Sequence, residues 1–200
     1  MSHTDKSVKQ GDSLKTSQRP EKYVLRPKLH PGGWKLLVQK TSGLTLLQIT
    51  RRSTTPPRYL AKPFPPFEIK PFVIKVMTVG EVQRYSLIAN GHEALSIRQA
   101  AYPNMVLLRD AQRQIIARFT PISPEMILLR TDAASVGRIR FKETPGAFEF
   151  IAVCNTVAEL RWLQGVILYV IAQLEEKMAT SLIKRPVLEE SNAEPEAEAP

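Results

Sequence analysis

The sequence predicts a mainly β protein, with about twelve antiparallel strands closed into a barrel around a hydrophobic C-terminal helix. Three observations lead there. From Tyr23 onward, short apolar runs alternate with turn residues roughly every ten positions, the spacing of sandwiches and barrels. Sixteen prolines against nine glycines argue against long uninterrupted helices through most of the chain. Residues 166–171, Val-Ile-Leu-Tyr-Val-Ile, are apolar without a break, so a helix there has no polar face and must be enclosed all round.

Residues 1–22 are polar and almost free of large apolar side chains. They cannot bury enough surface to offset their ordering entropy and are expected to be disordered. They show no apolar signal-peptide core, and Asp5 and Asp12 count against a transit peptide. With neither a myristoylation start nor a C-terminal prenylation box, the expectation is a cytoplasmic chain, free or peripheral to a membrane.

One barrel domain is expected over 23–180. Its strands are predicted at 23–29, 34–40, 45–51, 59–61, 67–76 and 82–88, then at 94–98, 105–109, 114–119, 126–130, 136–141 and 147–153. Between them lie His30-Pro31-Gly32-Gly33, Ser42-Gly43, Thr55-Pro56-Pro57, Asn90-Gly91, Pro103-Asn104 and Thr144-Pro145-Gly146. These close hairpins because Gly and Asn reach positive φ and Pro pre-sets a turn. Residues 56–71 hold six prolines and have two readings. One is a polyproline ligand for an SH3-type protein partner. The other, favoured by Phe64 and Phe67 as core plugs, is a rigid connection or an edge strand, where missing N–H groups do no harm.

The helix is predicted over 156–178. Asn155-Thr156 offers an N-cap, and Glu159 completes a capping box. Gly165 costs about 1 kcal/mol relative to Ala inside a helix. The apolar run is far short of the ~20 residues that cross a bilayer, with Arg161, Gln164 and Gln173 close by. An amphipathic surface helix needs a charged face that this run lacks. Beyond it, 181–200 reads as a disordered acidic tail, with five glutamates and no basic residue after Arg185. Such a tail either competes for a basic face or aids solubility.

Two adjacent segments share a grammar: LLRDAQRQIIARF from Leu107 and LLRTDAASVGRIRF from Leu128, each strand, Asp-bearing turn, strand. Strand period puts Arg138 and Arg140 on one face and Ile139 and Phe141 on the other. With the terminal LRWLQGVILYVIAQL, these segments resemble the Tubby C-terminal-like superfamily, in particular its scramblase and LURP-one-related branches. The resemblance implies a twelve-stranded barrel wrapped round a hydrophobic C-terminal helix. It also implies binding of phosphoinositides or other anionic membrane lipids by a basic barrel face. The cysteine-rich stretch and membrane-spanning tail of the scramblases have no counterpart here, so lipid scrambling is not expected. A second resemblance is to pleckstrin-homology domains. FEFIAVCNTVAELRWLQGVIL is similar to their last strand and capping helix, with Glu159 before Trp162. That would leave residues 23–71 unexplained.

The candidates for catalysis are weak. Cys154, the only cysteine, reads as a small buried core residue. His92 follows the Asn90-Gly91 turn, and the three histidines are scattered. Asp110 and Asp132 sit where Asp serves turn geometry. No phosphate-binding glycine loop is present. A non-enzymatic protein without cofactor or metal is expected.

The positive clue is charge. Lys and Arg number 28 against 19 Asp and Glu, a net charge of +9. Residues 23–185 hold a larger excess, 23 basic against 11 acidic. Such a body suits anionic partners: a lipid headgroup, an acidic protein surface or a nucleic acid. Of its cations, Arg51-Arg52, Arg58, Lys62, Lys70, Lys75, Arg109 and Arg130 recur along the strands. The candidate anion- or lipid-binding set is Arg138, Arg140 and Lys142, with Arg118 and Arg113 beside them. Arginine forks match phosphate oxygens bidentately. The expected function is a membrane-peripheral module for anionic lipid headgroups. A scaffold or assembly factor using 56–71 and the tails is the second reading. Nucleic-acid binding is the third, with only 7% aromatic residues to stack on bases.

Overall fold

The computed structural model describes residues 20–30, 33–80, 82–99, 105–144, 147–154 and 159–183. Twelve strands follow in chain order: β1 (Glu21–His30), β2 (Gly33–Lys40), β3 (Thr45–Thr54), β4 (Pro57–Pro63), β5 (Phe72–Val79) and β6 (Val82–Ala89). The second half comprises β7 (His92–Gln99), β8 (Val106–Asp110), β9 (Ile115–Ser123), β10 (Met126–Arg130), β11 (Ser135–Thr144) and β12 (Ala147–Cys154). Each pairs antiparallel with its sequence neighbour, and β1 pairs with β12, so the sheet closes on itself. Closure removes every sheet edge and with it the template for edge-to-edge aggregation.

The expected architecture is the observed one. Asn90 and Gly91 take φ of 52° and 81°, the two positive values that a two-residue type I′ hairpin requires. Several strands outrun their predicted ends, β9 reaching Ser123 rather than 119, and the largest shift in a strand is a late start. The strand predicted over 67–76 begins only at Phe72. Prolines at 63, 65, 66 and 71 remove the donors a ladder needs. The connection instead makes short turns, with Phe67 N–H donating to Phe64 O and Ile69 N–H to Phe67 O. Phe67 and Ile69 pack against the core, while Phe64 is half-buried. Residues 57–63 form no edge, because β4 is flanked by β3 and β5. Pro57 and Pro63 stand at its two ends.

A twelve-stranded barrel is wider than its own inward side chains can fill. Helix α1 (Glu159–Ile183) fills it. Val166 to Ile171 are each 0–5% exposed, so the whole circumference of the helix is enclosed there. Each such side chain contributes about 1.5–3 kcal/mol by burial. Contacts reach the helix from all round the wall. Arg161 meets Asp110 of β8 at 3.6 Å, and Lys177 lies 3.6 Å from the ring centroid of Phe141 of β11. Tyr169 stacks on Phe119 of β9 with centroids 4.5 Å apart, and Glu175 accepts from Trp34 of β2 at 3.3 Å. A pleckstrin-type cap is therefore excluded: the helix threads the barrel, and residues 21–63 supply four of its strands. The expected cap at Asn155-Thr156 lies outside the described residues, as do 1–19 and 184–200 of the tails expected at 1–22 and 181–200; Glu21 and Lys22 instead open β1, and residues 181–183 close the helix.

Gly165 is the close-packed point of this arrangement. A Cβ there would lie 2.7 Å from Leu108 Cδ2, so any larger residue forces the Leu108 side chain out of its place. The glycine's propensity cost is offset by that contact.

Candidate anion-binding face

Alternation decides which cations reach solvent. Inward residues of β8–β11 include Leu108, Ala117, Phe119, Ile127, Leu129 and Ile139, all in the core. The outward positions between and beside them hold Arg109, Arg118, Arg130, Arg138, Arg140 and Lys142 and, among the described residues, no carboxylate. The same outward positions also hold Leu107, Ile116, Met126, Leu128 and Val136, so the wall is mixed and not the wholly apolar outer band of a lipid-spanning barrel.

Arg138, Arg140 and Lys142 project side by side from β11, about 7 Å apart at two-residue spacing. All three are exposed. Their cross-strand neighbours are largely aliphatic: Arg138 lies opposite Leu128 and Val153, and Arg140 opposite Met126 and Ile151. Lys142 faces Glu149, which accepts a bond from Arg26 of β1 at 2.9 Å. Arg140 has Glu125 at 4.0 Å, with both side chains about two-thirds exposed, a pair worth almost nothing in water. Arg118 stands two strands away on β9, opposite Arg130, and is ion-paired with Asp132. Arg113 occupies the β8–β9 turn with φ of 64°. Its N–H donates to Asp110 O at 2.9 Å and its carbonyl accepts from Arg109 Nη1 at 3.1 Å. The five predicted residues thus form a compact trio on β11, a neighbour on β9, and one residue at the end of the barrel.

Arg51 faces inward, and its Nη2 pairs with Glu175 Oε2 at 3.1 Å. Arg84 of β6 and Arg98 of β7 join the outer face, directly opposite each other. Sequence reasoning passed over both. Each is isolated in its own segment, and only the pairing of β6 with β7 sets them together. The signal that could have found them is the alternation around Tyr85 and Ile97, which turns both arginines away from the core.

The candidate catalytic groups are placed structurally. Asp110 Oδ1 accepts from Gln114 N at 2.9 Å, closing its turn. His92 is exposed at the start of β7. Cys154 is fully buried, and burial pushes its thiol up to about 12. Among the described residues no group of three or more His, Cys, Asp or Glu is arranged to hold a metal ion, and no helix is long and apolar enough to cross a membrane.

The barrel interior carries a second titrating set. Burial raises Tyr59, Tyr85 and Tyr169, the last to about 12, and the Glu175 carboxylate raises Tyr59 and Tyr85 further. Their neutral forms are favoured in the folded state. The stability they contribute, with Cys154, is complete below about pH 9 and is lost as pH rises towards 12. Thermal melts from pH 8 to 11 should show a midpoint that is level to about pH 9 and then falls. A midpoint level to pH 11 would contradict this account.

No protein-family model matches the chain, and no curated protein matches it.

Proposed function

We propose that this protein is a non-enzymatic binding module that docks on anionic membrane surfaces through the outer face of β9–β12. The observation that carries the reading is the interleaving of Arg138 and Arg140 with half-buried Leu128, Met126, Ile151 and Val153. Aliphatic side chains between cations suit a lipid interface, where each cation near an anionic surface adds about 1 kcal/mol. A nucleic-acid groove needs stacking aromatics instead, and these outward positions hold none among the described residues. The barrel with its central helix is consistent with the Tubby C-terminal-like resemblance, which points to the same ligand class.

The test is flotation with vesicles of neutral lipid and with vesicles containing phosphatidylserine. The native chain is expected to float only with the anionic vesicles, less strongly as salt rises. Reversing Arg138, Arg140 and Lys142 to Glu together is expected to weaken binding at least a hundredfold, from about 1 kcal/mol per cation removed. Equal flotation with neutral vesicles, or no effect of the triple reversal, defeats the proposal.

A further inference from the structure

Ser86 of β6 and Ser96 of β7 are direct cross-strand partners. Their neighbours Tyr85, Leu87, Leu95 and Ile97 are all core residues, so alternation turns both hydroxyls to the outer wall of the barrel. A mid-strand serine on an outer wall ordinarily meets water, yet each of these is only 1% exposed. Ser86 Oγ is buried without a hydrogen-bond partner. Ser96 Oγ accepts a long 3.4 Å bond from Arg84 Nη2. A buried polar atom left unpaired costs free energy and is rarely tolerated without reason.

The register surrounds this pair with cations. Lys75 lies opposite Ser86 on β5, and Arg109 lies opposite Ser96 on β8. Arg84 and Arg98 stand opposite each other one step along the same two strands. Arg109 Nε, like Ser86 Oγ, is buried with no partner. The carboxylate at this patch is Glu93, ion-paired with Arg84. Among the described residues, four cations and one carboxylate leave a local excess of three positive charges around two hydroxyls.

We propose that Ser86, Ser96, Lys75, Arg84, Arg98 and Arg109 form a binding site for a phosphomonoester group. A phosphomonoester dianion presents three terminal oxygens, enough to accept from both hydroxyls and from the unpaired Arg109 Nε. A carboxylate or a phosphodiester offers two oxygens and a single charge. Lys75 and Arg98 are exposed and move aside to admit the group, while Glu93 competes with it for Arg84. The site lies on β5–β8, apart from the β11 trio, and stands whether or not the membrane proposal does.

Calorimetric titration of the full chain with glycerol 3-phosphate tests it, alongside flotation with vesicles containing phosphatidic acid or phosphatidylserine at equal surface charge. Saturable binding is expected, about tenfold weaker in Ser86→Ala and about a hundredfold weaker in Ser86→Ala/Ser96→Ala, from two lost bonds to a charged group. The melting temperature of Ser86→Ala should be unchanged or higher, because Ser86 Oγ has no bond to lose. Glu93→Gln keeps both serines and should tighten binding. The triple reversal on β11 should leave glycerol 3-phosphate affinity intact. Preference for phosphatidic acid over phosphatidylserine vesicles would assign the group to a lipid headgroup, and binding of the soluble ester alone to a free phosphorylated metabolite. The proposal is overturned if neither probe binds, if the double serine variant binds as the native chain does, or if Glu93→Gln leaves affinity unchanged.

Discussion

Replacing Glu175 by alanine should lower the unfolding free energy by about 3 kcal/mol, near the lower limit for breaking a buried ion pair. The carboxylate is where α1 is tied to the far half of the barrel. It pairs with Arg51 of β3 at 3.1 Å and accepts from Trp34 Nε1 of β2 at 3.3 Å. Tyr59 lies near the same carboxylate, its hydroxyl buried without a hydrogen bond of normal geometry. Removing the carboxylate strands the Arg51 guanidinium, whose Nε is already buried and unpaired, and orphans the indole N–H. The Arg51 and Glu175 side chains are partly buried, not sealed, so residual hydration holds the loss near the lower limit. For a domain of this size about 3 kcal/mol corresponds to a melting point lower by about 6–12 °C. Pairing Glu175→Leu with Arg51→Met should recover most of the loss, because replacing both partners removes the uncompensated charge. A melting point within one degree of the native chain's for Glu175→Ala would show that the helix is held by apolar packing alone.

The second large effect is expected at Gly165. Gly165→Val should destabilise by about 3 kcal/mol, the upper part of the usual range for overpacking. Its Cβ would meet Leu108 Cδ2 at 2.7 Å, and Leu108 is itself fully buried, so the leucine can yield only by turning against its core neighbours. Leu108→Ala alone should cost about 2–5 kcal/mol through the cavity it leaves. In the double variant the valine methyls enter that cavity, so the total should fall short of the sum by more than 1 kcal/mol. Urea unfolding of the four proteins checks this, and simple additivity would mean that helix and strand do not meet there.

These two sites differ in how legible they were. An enclosed helix could be read from Val166 to Ile171 alone, because an unbroken apolar run has no face to offer water. Gly165 showed only as a propensity cost. Its purpose is a contact with Leu108, fifty-seven positions earlier in the chain. Glu175 drew no attention in the sequence, and Arg51 read as part of the basic surface. The fold brings them together inside the barrel, because Arg51 shares the inward parity of Leu47 and Ile49 on β3.

The candidate anion sites divide in the same way. Arg138, Arg140 and Lys142 share one strand, so two-residue periodicity is enough to put them on one face, with Ile139 in the core between them. The group around Ser86 draws on four strands, and no member is adjacent to another in the chain. Its existence depends on β5–β8 pairing in the observed register, since a one-residue slip of β6 would send Ser86 into the core and Tyr85 into solvent. Strand number, most turn positions, the enclosed helix and the face of most side chains follow from local patterning, because alternation and turn chemistry act over a few residues. Partnership across strands follows from barrel closure and register, which join residues that no short stretch of chain contains.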